Sequence, residues 1–270
     1  MPKILCLHGA RSSSDVTKLQ LFSLGLDALG CELDSIESPL VGKVAYDGSI
    51  ADNSRSWQAV ASDTEPGLFS ADSSQHDSLV EQLQQSLNFV VAHVRSYGPY
   101  DGAYGFSQGA SIVTLLSDKN VLRSLGVDEP LWDFVILACG VDYLAAQREE
   151  LGSRKLELPS LHLIGLADPW REQSEVLLGR YERPRVLRHP YGHELPLTLK
   201  DQNPDLVGAL AEYVLTPGLG KAPPETLRVR KSEAEHETDA EFANLALISV
   251  GVVAAVGLPL LLYELWRSLL

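Results

Sequence analysis

Tyr104-Gly105-Phe106-Ser107-Gln108-Gly109-Ala110 is the stretch on which the reading of the whole chain depends. Tyr100-Asp101-Gly102 reads as a turn before it, and Ala103 to Phe106 as a short apolar strand. Ala110-Ser111-Ile112-Val113-Thr114-Leu115-Leu116 reads as the helix that follows. A serine with a glycine two positions away on each side, at a strand-to-helix corner, has the G-x-S-x-G pattern of a nucleophile elbow. The corner is so tight that a Cβ at either glycine would crowd the neighbouring strand or helix. It lifts the Ser107 hydroxyl clear of the sheet and leaves the backbone N–H of Gln108 aimed at the same point. A nucleophile and half of an oxyanion hole would then arrive together. Gly and Ser also make plain loops, so the surrounding chain has to decide.

The 270 residues leave room for one α/β domain of roughly 200 residues and an additional segment. A 45% hydrophobic share suits a sizeable core, and a formal charge of −14 argues against nucleic acid as a partner. The same charge disfavours electrostatic docking on anionic lipid. Cys6, Cys31 and Cys139 lie in or beside apolar runs without metal-ligand spacing, so free, buried thiols are expected, with neither metal nor cofactor. The opening run Pro2-Lys3-Ile4-Leu5-Cys6-Leu7 is too short for a signal peptide.

Lys3 to Leu7 reads as a buried strand closed by the loop His8-Gly9-Ala10. Ser14 and Asp15 offer N-caps for a helix with Leu19, Phe22, Leu26 and Leu29 on one face, stopped by Gly30. A strand over Cys31 to Glu37 completes a βαβ unit and points to a parallel sheet. Residues 38–76 lack long apolar periodicity but carry Tyr46, Trp57 and Phe69, which suits either a lid over an apolar substrate or a surface insertion. Asp77 would cap a helix with Leu79, Leu83, Leu87, Val90 and Val94 facing the core, ended by Gly98-Pro99. Beyond the elbow come a strand at Phe134 to Ala138 and a polar helical stretch to about Arg154. Further strands follow at Leu161 to Gly165 and Arg185 to Arg188, and Asn203-Pro204 starts a helix turning Leu206, Leu210 and Tyr213 inward.

Composition changes at Thr216, so residues 1–215 are read as the α/β domain and 216–241 as a polar, flexible linker. Phe242 to Tyr263 carries 22 residues without a charge, long enough as a helix to cross a hydrocarbon core of about 30 Å. This predicts a C-terminal transmembrane anchor with the catalytic domain facing the cytosol and the membrane as a partner. A terminal core helix is the competing reading.

In parallel sheets of this kind ligands bind at the C-terminal strand ends. His8-Gly9-Ala10, Ser107, Asp168 and His193 all fall there. Ester or thioester cleavage by serine needs a base within hydrogen-bond reach and a carboxylate that holds the base in one tautomer. Ser107, Asp168 and His193 follow one another in the chain order of the α/β-hydrolase fold. Asp133 and Asp142 compete with Asp168, and His189 with His193. A His189/His193 zinc pair is disfavoured, because Pro190 and Gly192 break the helix that would align them. The N–H of Ala10 would supply the second oxyanion donor, and Arg11 would orient an acidic substrate. His8 is expected to shape its loop.

Leu7-His8-Gly9, Gly98-Pro99-Tyr100-Asp101-Gly102 running into the elbow, Leu158 to Gly165 before Asp168, and His189-Pro190-Tyr191-Gly192-His193 together resemble the family serine hydrolase (FSH) group of α/β-hydrolases. Its fungal members include thioesterases and esterases of polyketide pathways, the lovastatin-releasing thioesterase type among them. The resemblance covers about residues 1–215; the tail from Thr216 onward has no counterpart in it. It implies an α/β-hydrolase fold with Ser107 as nucleophile, Asp168 as orienter and His193 as base. It further implies that the stretch Arg55-Ser56-Trp57 helps shape the acyl site, making Trp57 a substrate-binding residue beside Arg11.

The expectation is a serine hydrolase acting on an acyl ester or thioester, carried by CoA or a carrier protein in the thioester case. A membrane lipid ester is the alternative substrate, and an acyl-ligand binding protein without turnover is the alternative class.

Overall fold

Lys3–Leu7 forms β1, and every residue from Ile4 to Leu7 is buried, as expected of a strand covered on both faces. The computed structural model describes residues 1–41, 54–58, 73–142 and 155–216, with the side chains of 73–78 left aside. The remaining strands of the main sheet are β2 (Glu32–Ile36), β5 (Gly102–Phe106), β6 (Phe134–Ala138), β7 (Ser160–Gly165) and β8 (Arg185–His189). Their order is β2-β1-β5-β6-β7-β8 and all five pairings are parallel. Two short strands, β3 (Leu40–Val41) and β4 (Arg55–Ser56), pair antiparallel beside the sheet. The strand order reverses at β1 and β5, so the crevice outside the ends of these two strands is where the topology leaves room for a ligand.

Alternation along β1 divides the core. Leu5 and Leu7 pack with Trp57, Leu83, Leu87 and Ile112 on one face, while Ile4 and Cys6 pack with Leu21, Leu24, Tyr104 and Tyr213 on the other. The first face is covered by α2 (Ser73–Tyr97) and α3 (Gln108–Leu115). The second is covered by α1 (Ser14–Ser23) and, after α4 (Lys119–Ser124), α5 (Arg171–Leu178) and α6 (Leu199–Gln202), by α7 (Pro204–Leu215). α7 starts at its proline, and Leu206, Leu210 and Tyr213 are buried as the pattern requires.

Four expectations need correction. In α1 the N-cap is Ser13, whose hydroxyl accepts from Val16 N. Its buried residues are Thr17, Gln20, Leu21 and Ser23, with Leu24 buried at the C-cap, whereas Leu19 and Phe22 are 53% and 46% exposed. Thr17 and Gln20 tolerate burial because Thr17 Oγ1 donates to Ser13 O at 3.3 Å and Gln20 Oε1 accepts from Tyr104 O–H at 3.3 Å. The helix stops before Gly25, at φ +71°; Gly30 ends a separate 3-10 turn over Asp27–Leu29. α2 starts at Ser73, so Asp77 lies inside the helix and does not cap it. Tyr46 and Phe69, the helical stretch to Arg154, and the linker and apolar segment from 217 to 263 lie outside the described residues. Among the described residues no helix is long and apolar enough to cross a membrane.

Two buried histidines make stability depend on pH. His162 in β7 packs edge-on against Tyr181 at 5.1 Å, and His189 ends β8; burial pushes the first down to about 3 and the second to about 4. Both titrate near 6.5 in the unfolded chain, so below that pH the unfolded state binds more protons and stability falls with pH. At pH 5 the loss is about 2 kcal/mol for each imidazole. Urea unfolding at pH 7 and pH 5 should therefore show a smaller drop for His162→Gln than for the wild type. Equal drops would remove His162 from this role.

Candidate active site

Strain marks the C-terminal edge of the sheet. Among the described residues, three non-glycine residues hold positive φ, all of them there: Arg11 at 52°, Ser107 at 52° and Cys139 at 46°. Ser107 sits between β5 and α3, and its N–H donates to Ala138 O at 2.9 Å. The two flanking glycines are required by contact. A Cβ on Gly105 would lie 2.6 Å from Ala110 Cα, and one on Gly109 would lie 2.5 Å from Leu7 O. Helix α3 thus abuts the end of β1, and the first N–H groups of α3, Gln108's among them, have no intrahelical acceptor.

His193 lies four residues past β8. Its Nδ1 is 2.8 Å from Asp168 Oδ2 and its Nε2 is 2.9 Å from Ser107 Oγ. An ionised Asp168 only accepts, so Nδ1 carries the proton and Nε2 is left to accept from the serine hydroxyl. Asp168 is 5% exposed, and its second oxygen, Oδ1, accepts from Trp170 N at 2.7 Å. Phe106 packs against the imidazole at 5.2 Å between ring centroids. The Asp168 and His193 loops meet over Gly165, where a Cβ would lie 2.4 Å from Gly192 O. Sequence reasoning missed that glycine; its place at the end of β7, directly before the acidic loop, is the signal that could have found it.

The competing residues are engaged elsewhere. Asp142 is held by Arg180 at 2.8 Å, and Asp133 lies before β6, at the opposite edge of the sheet. His189 is 1% exposed, with Nε2 3.9 Å from Cys139 Sγ. His8 is fully buried: Ser38 N donates to its Nε2 at 3.0 Å, so Nδ1 donates to Gly9 O at 2.6 Å, and burial lowers its pKa. Cys139, Asp168 and His193 bring one ligand atom each within 4.8 Å of one another, a set that could hold a thiophilic ion only by breaking the His193–Asp168 hydrogen bond. Burial and the nearby Asp168 carboxylate push the Cys139 thiol well up, which keeps it protonated.

Ser107 and His193 open onto a cleft of about 590 Å³. Gly9, Ala10 and Arg11 form one wall. Val16 and Leu19 of α1, together with Leu195 and Leu197, make an apolar rim, and Val16, Leu19 and Leu197 are each more than 40% exposed. The outward apolar face of α1 is thus a wall of the cleft. Trp57 does not line it. Its side chain is fully buried in the core, its indole Nε1 donates to His8 O at 2.8 Å, and its backbone N donates to Gln108 Oε1 at 2.7 Å. With its ring fully buried in the core, the indole exposes no face to a substrate. A second cavity, about 260 Å³, lies around Trp132 and Leu158 at the opposite edge of the sheet and has no histidine in its lining.

The pattern of the Serine hydrolase (FSH1) family matches residues 1–204. Esterase CG5412 of Drosophila melanogaster is 30% identical over 208 residues, covering 74% of this chain and 70% of the relative. Esterase C25G4.2 of Caenorhabditis elegans is 32% identical over 199 residues, covering 72% and 86%. Esterase OVCA2 of Xenopus tropicalis is 31% identical over 150 residues, 55% of this chain; the match spans 62% of that relative's length. Among solved structures, esterase PE8 aligns with a TM-score of 0.50 at 17% identity over 79% of this chain and 91% of its own, a likeness of fold. With three quarters of its length matched to one family pattern, the chain belongs to the FSH1 serine hydrolase family.

Proposed function

We propose that this chain hydrolyses an acyl ester or thioester through an acyl-enzyme on Ser107. The observation that carries this reading is the hydrogen-bonded chain Ser107–His193–Asp168, with 2.9 and 2.8 Å links, at the mouth of an apolar-rimmed cleft. Ser107 Oγ attacks the carbonyl carbon as its proton passes to His193 Nε2, and Asp168 stabilises the imidazolium. The N–H groups of Ala10 and Gln108 receive the oxyanion. The C–O or C–S bond then breaks, and His193 returns the proton to the departing alcohol or thiol. Water, deprotonated by the same nitrogen, releases the acid and restores Ser107.

Val16, Leu19 and Leu197 fit an aliphatic acyl group, and Arg11 fits an anionic portion of the substrate. A polyketide-pathway thioester on CoA or a carrier protein is the finer form suggested by the family resemblance. An ester of a membrane lipid is a second reading, favoured by the uncharged stretch 242–263, which in this proposal anchors the chain with residues 1–216 on the cytosolic side. The purified enzyme should turn over aryl esters of two to twelve carbons, with kcat/KM rising about tenfold or more from the shortest to the middle of the series as apolar contact grows. Leu19→Arg should flatten that rise, and a flat wild-type profile would sink the acyl assignment. Acyl-CoA against lysophospholipid separates the two substrate readings. Carbonate extraction of the full chain against residues 1–216 tests the anchor, which fails if both are released alike.

A further inference from the structure

Residues 54–58 touch both halves of the oxyanion site assigned above. On one side the Gln108 carboxamide holds them: its Oε1 accepts from Trp57 N at 2.7 Å, and its Nε2 donates to Gln58 O at 2.9 Å. On the other side they grip the loop after β1. Trp57 Nε1 donates to His8 O at 2.8 Å, and Arg11 N donates to Ser56 Oγ at 3.0 Å. Ser12 and Arg55 exchange backbone hydrogen bonds of 3.1 and 2.8 Å. Ser86 Oγ donates to Trp57 O at 2.5 Å and fixes the segment to α2. Trp57 is fully buried, so the segment belongs to the core.

The loop has a reason to need this grip. Arg11 holds φ at 52°, a conformation that a residue with a Cβ keeps only where its surroundings overdetermine it. Its neighbour Ala10 lies in the cleft wall beside Ser107. Release of Arg11 N would let the loop relax and carry the Ala10 N–H with it.

We propose that Ser56 and Trp57 are positioning residues that brace the Gly9–Ser12 loop against α3 and set the spacing of the Ala10 and Gln108 N–H groups. The inference rests on the serine-hydrolase reading. Oxyanion donors act on charge that develops only in the transition state, so slackening them lowers kcat and leaves KM nearly unchanged. Ser56→Ala removes the acceptor of Arg11 N, and Ser56→Thr keeps it. Trp57→Phe keeps an aromatic ring in the core and removes the donor to His8 O.

The test compares these full-length variants on an aryl ester and with a trifluoromethyl ketone, which forms a tetrahedral oxyanion on the serine. Ser56→Ala should lower kcat by about 10- to 100-fold with KM within about threefold. Trp57→Phe should lower kcat by about tenfold. Ketone affinity should fall by the same factor as kcat, Ser56→Thr should stay within about threefold of wild type, and the Tm of the two Ser56 variants should move by less than about 3 °C. Ser56→Ala with wild-type kcat, a loss that Ser56→Thr does not restore, or undiminished ketone affinity would overturn the brace. A wild type that neither turns over nor takes the ketone overturns the serine-hydrolase reading and the brace with it. A wild type that does both, beside an unaffected Ser56→Ala, overturns the brace alone.

Discussion

Ser107→Ala should lower kcat on an aryl ester by about 10⁶-fold, leaving only what binding and the oxyanion donors provide without a nucleophile. The substitution is nearly silent for the fold. Alanine keeps the Cβ that the elbow already accommodates at φ 52°, and the single bond lost is that from Oγ to His193. Tm should therefore stay within about 2 °C. Ser111 cannot take over, because it is buried and its hydroxyl is committed to Val141 O. Steady-state kinetics beside a thermal melt separate loss of chemistry from loss of structure. Residual activity within about tenfold of wild type would remove Ser107 from the nucleophile's role.

Asp168→Asn should cost about 10⁴-fold in kcat although the new side chain has the same shape. Trp170 N donates to Oδ1 at 2.7 Å, so the amide oxygen of the asparagine must stay at that position. The amide NH₂ then faces His193 Nδ1, which has to become an acceptor. Its proton moves to Nε2, opposite Ser107, and the imidazole can no longer take the serine proton. The effect should appear in kcat, with KM little changed, since Asp168 does not line the cleft. Activity within about tenfold of wild type would show that another group orients His193.

How much of this was legible follows from how local each signal is. The elbow could be read because Gly105 and Gly109 are dictated by contacts within a few residues and with the end of β1. Strand ends could be read from apolar runs, so Ser107, Asp168 and His193 fall on one edge of the sheet, where the structure brings them within hydrogen-bond distance. The facing of α1 could not. Leu19 and Phe22 imitate a core stripe, while the buried Thr17 and Gln20 look like surface residues until their hydrogen bonds to Ser13 and Tyr104 are seen. Trp57 was misread for a similar reason. An aromatic residue in a polar, aperiodic stretch suggests a substrate wall, but its partners His8 and Gln108 lie 49 and 51 residues away. Such pairings are decided by tertiary packing and leave no periodicity in the sequence.

The central claim is that Ser107 is an activated nucleophile, and intact mass after treatment with a fluorophosphonate tests it most directly. The account predicts one adduct on the wild-type chain and none on Ser107→Ala. Equal labelling of both chains, or of neither, would contradict it.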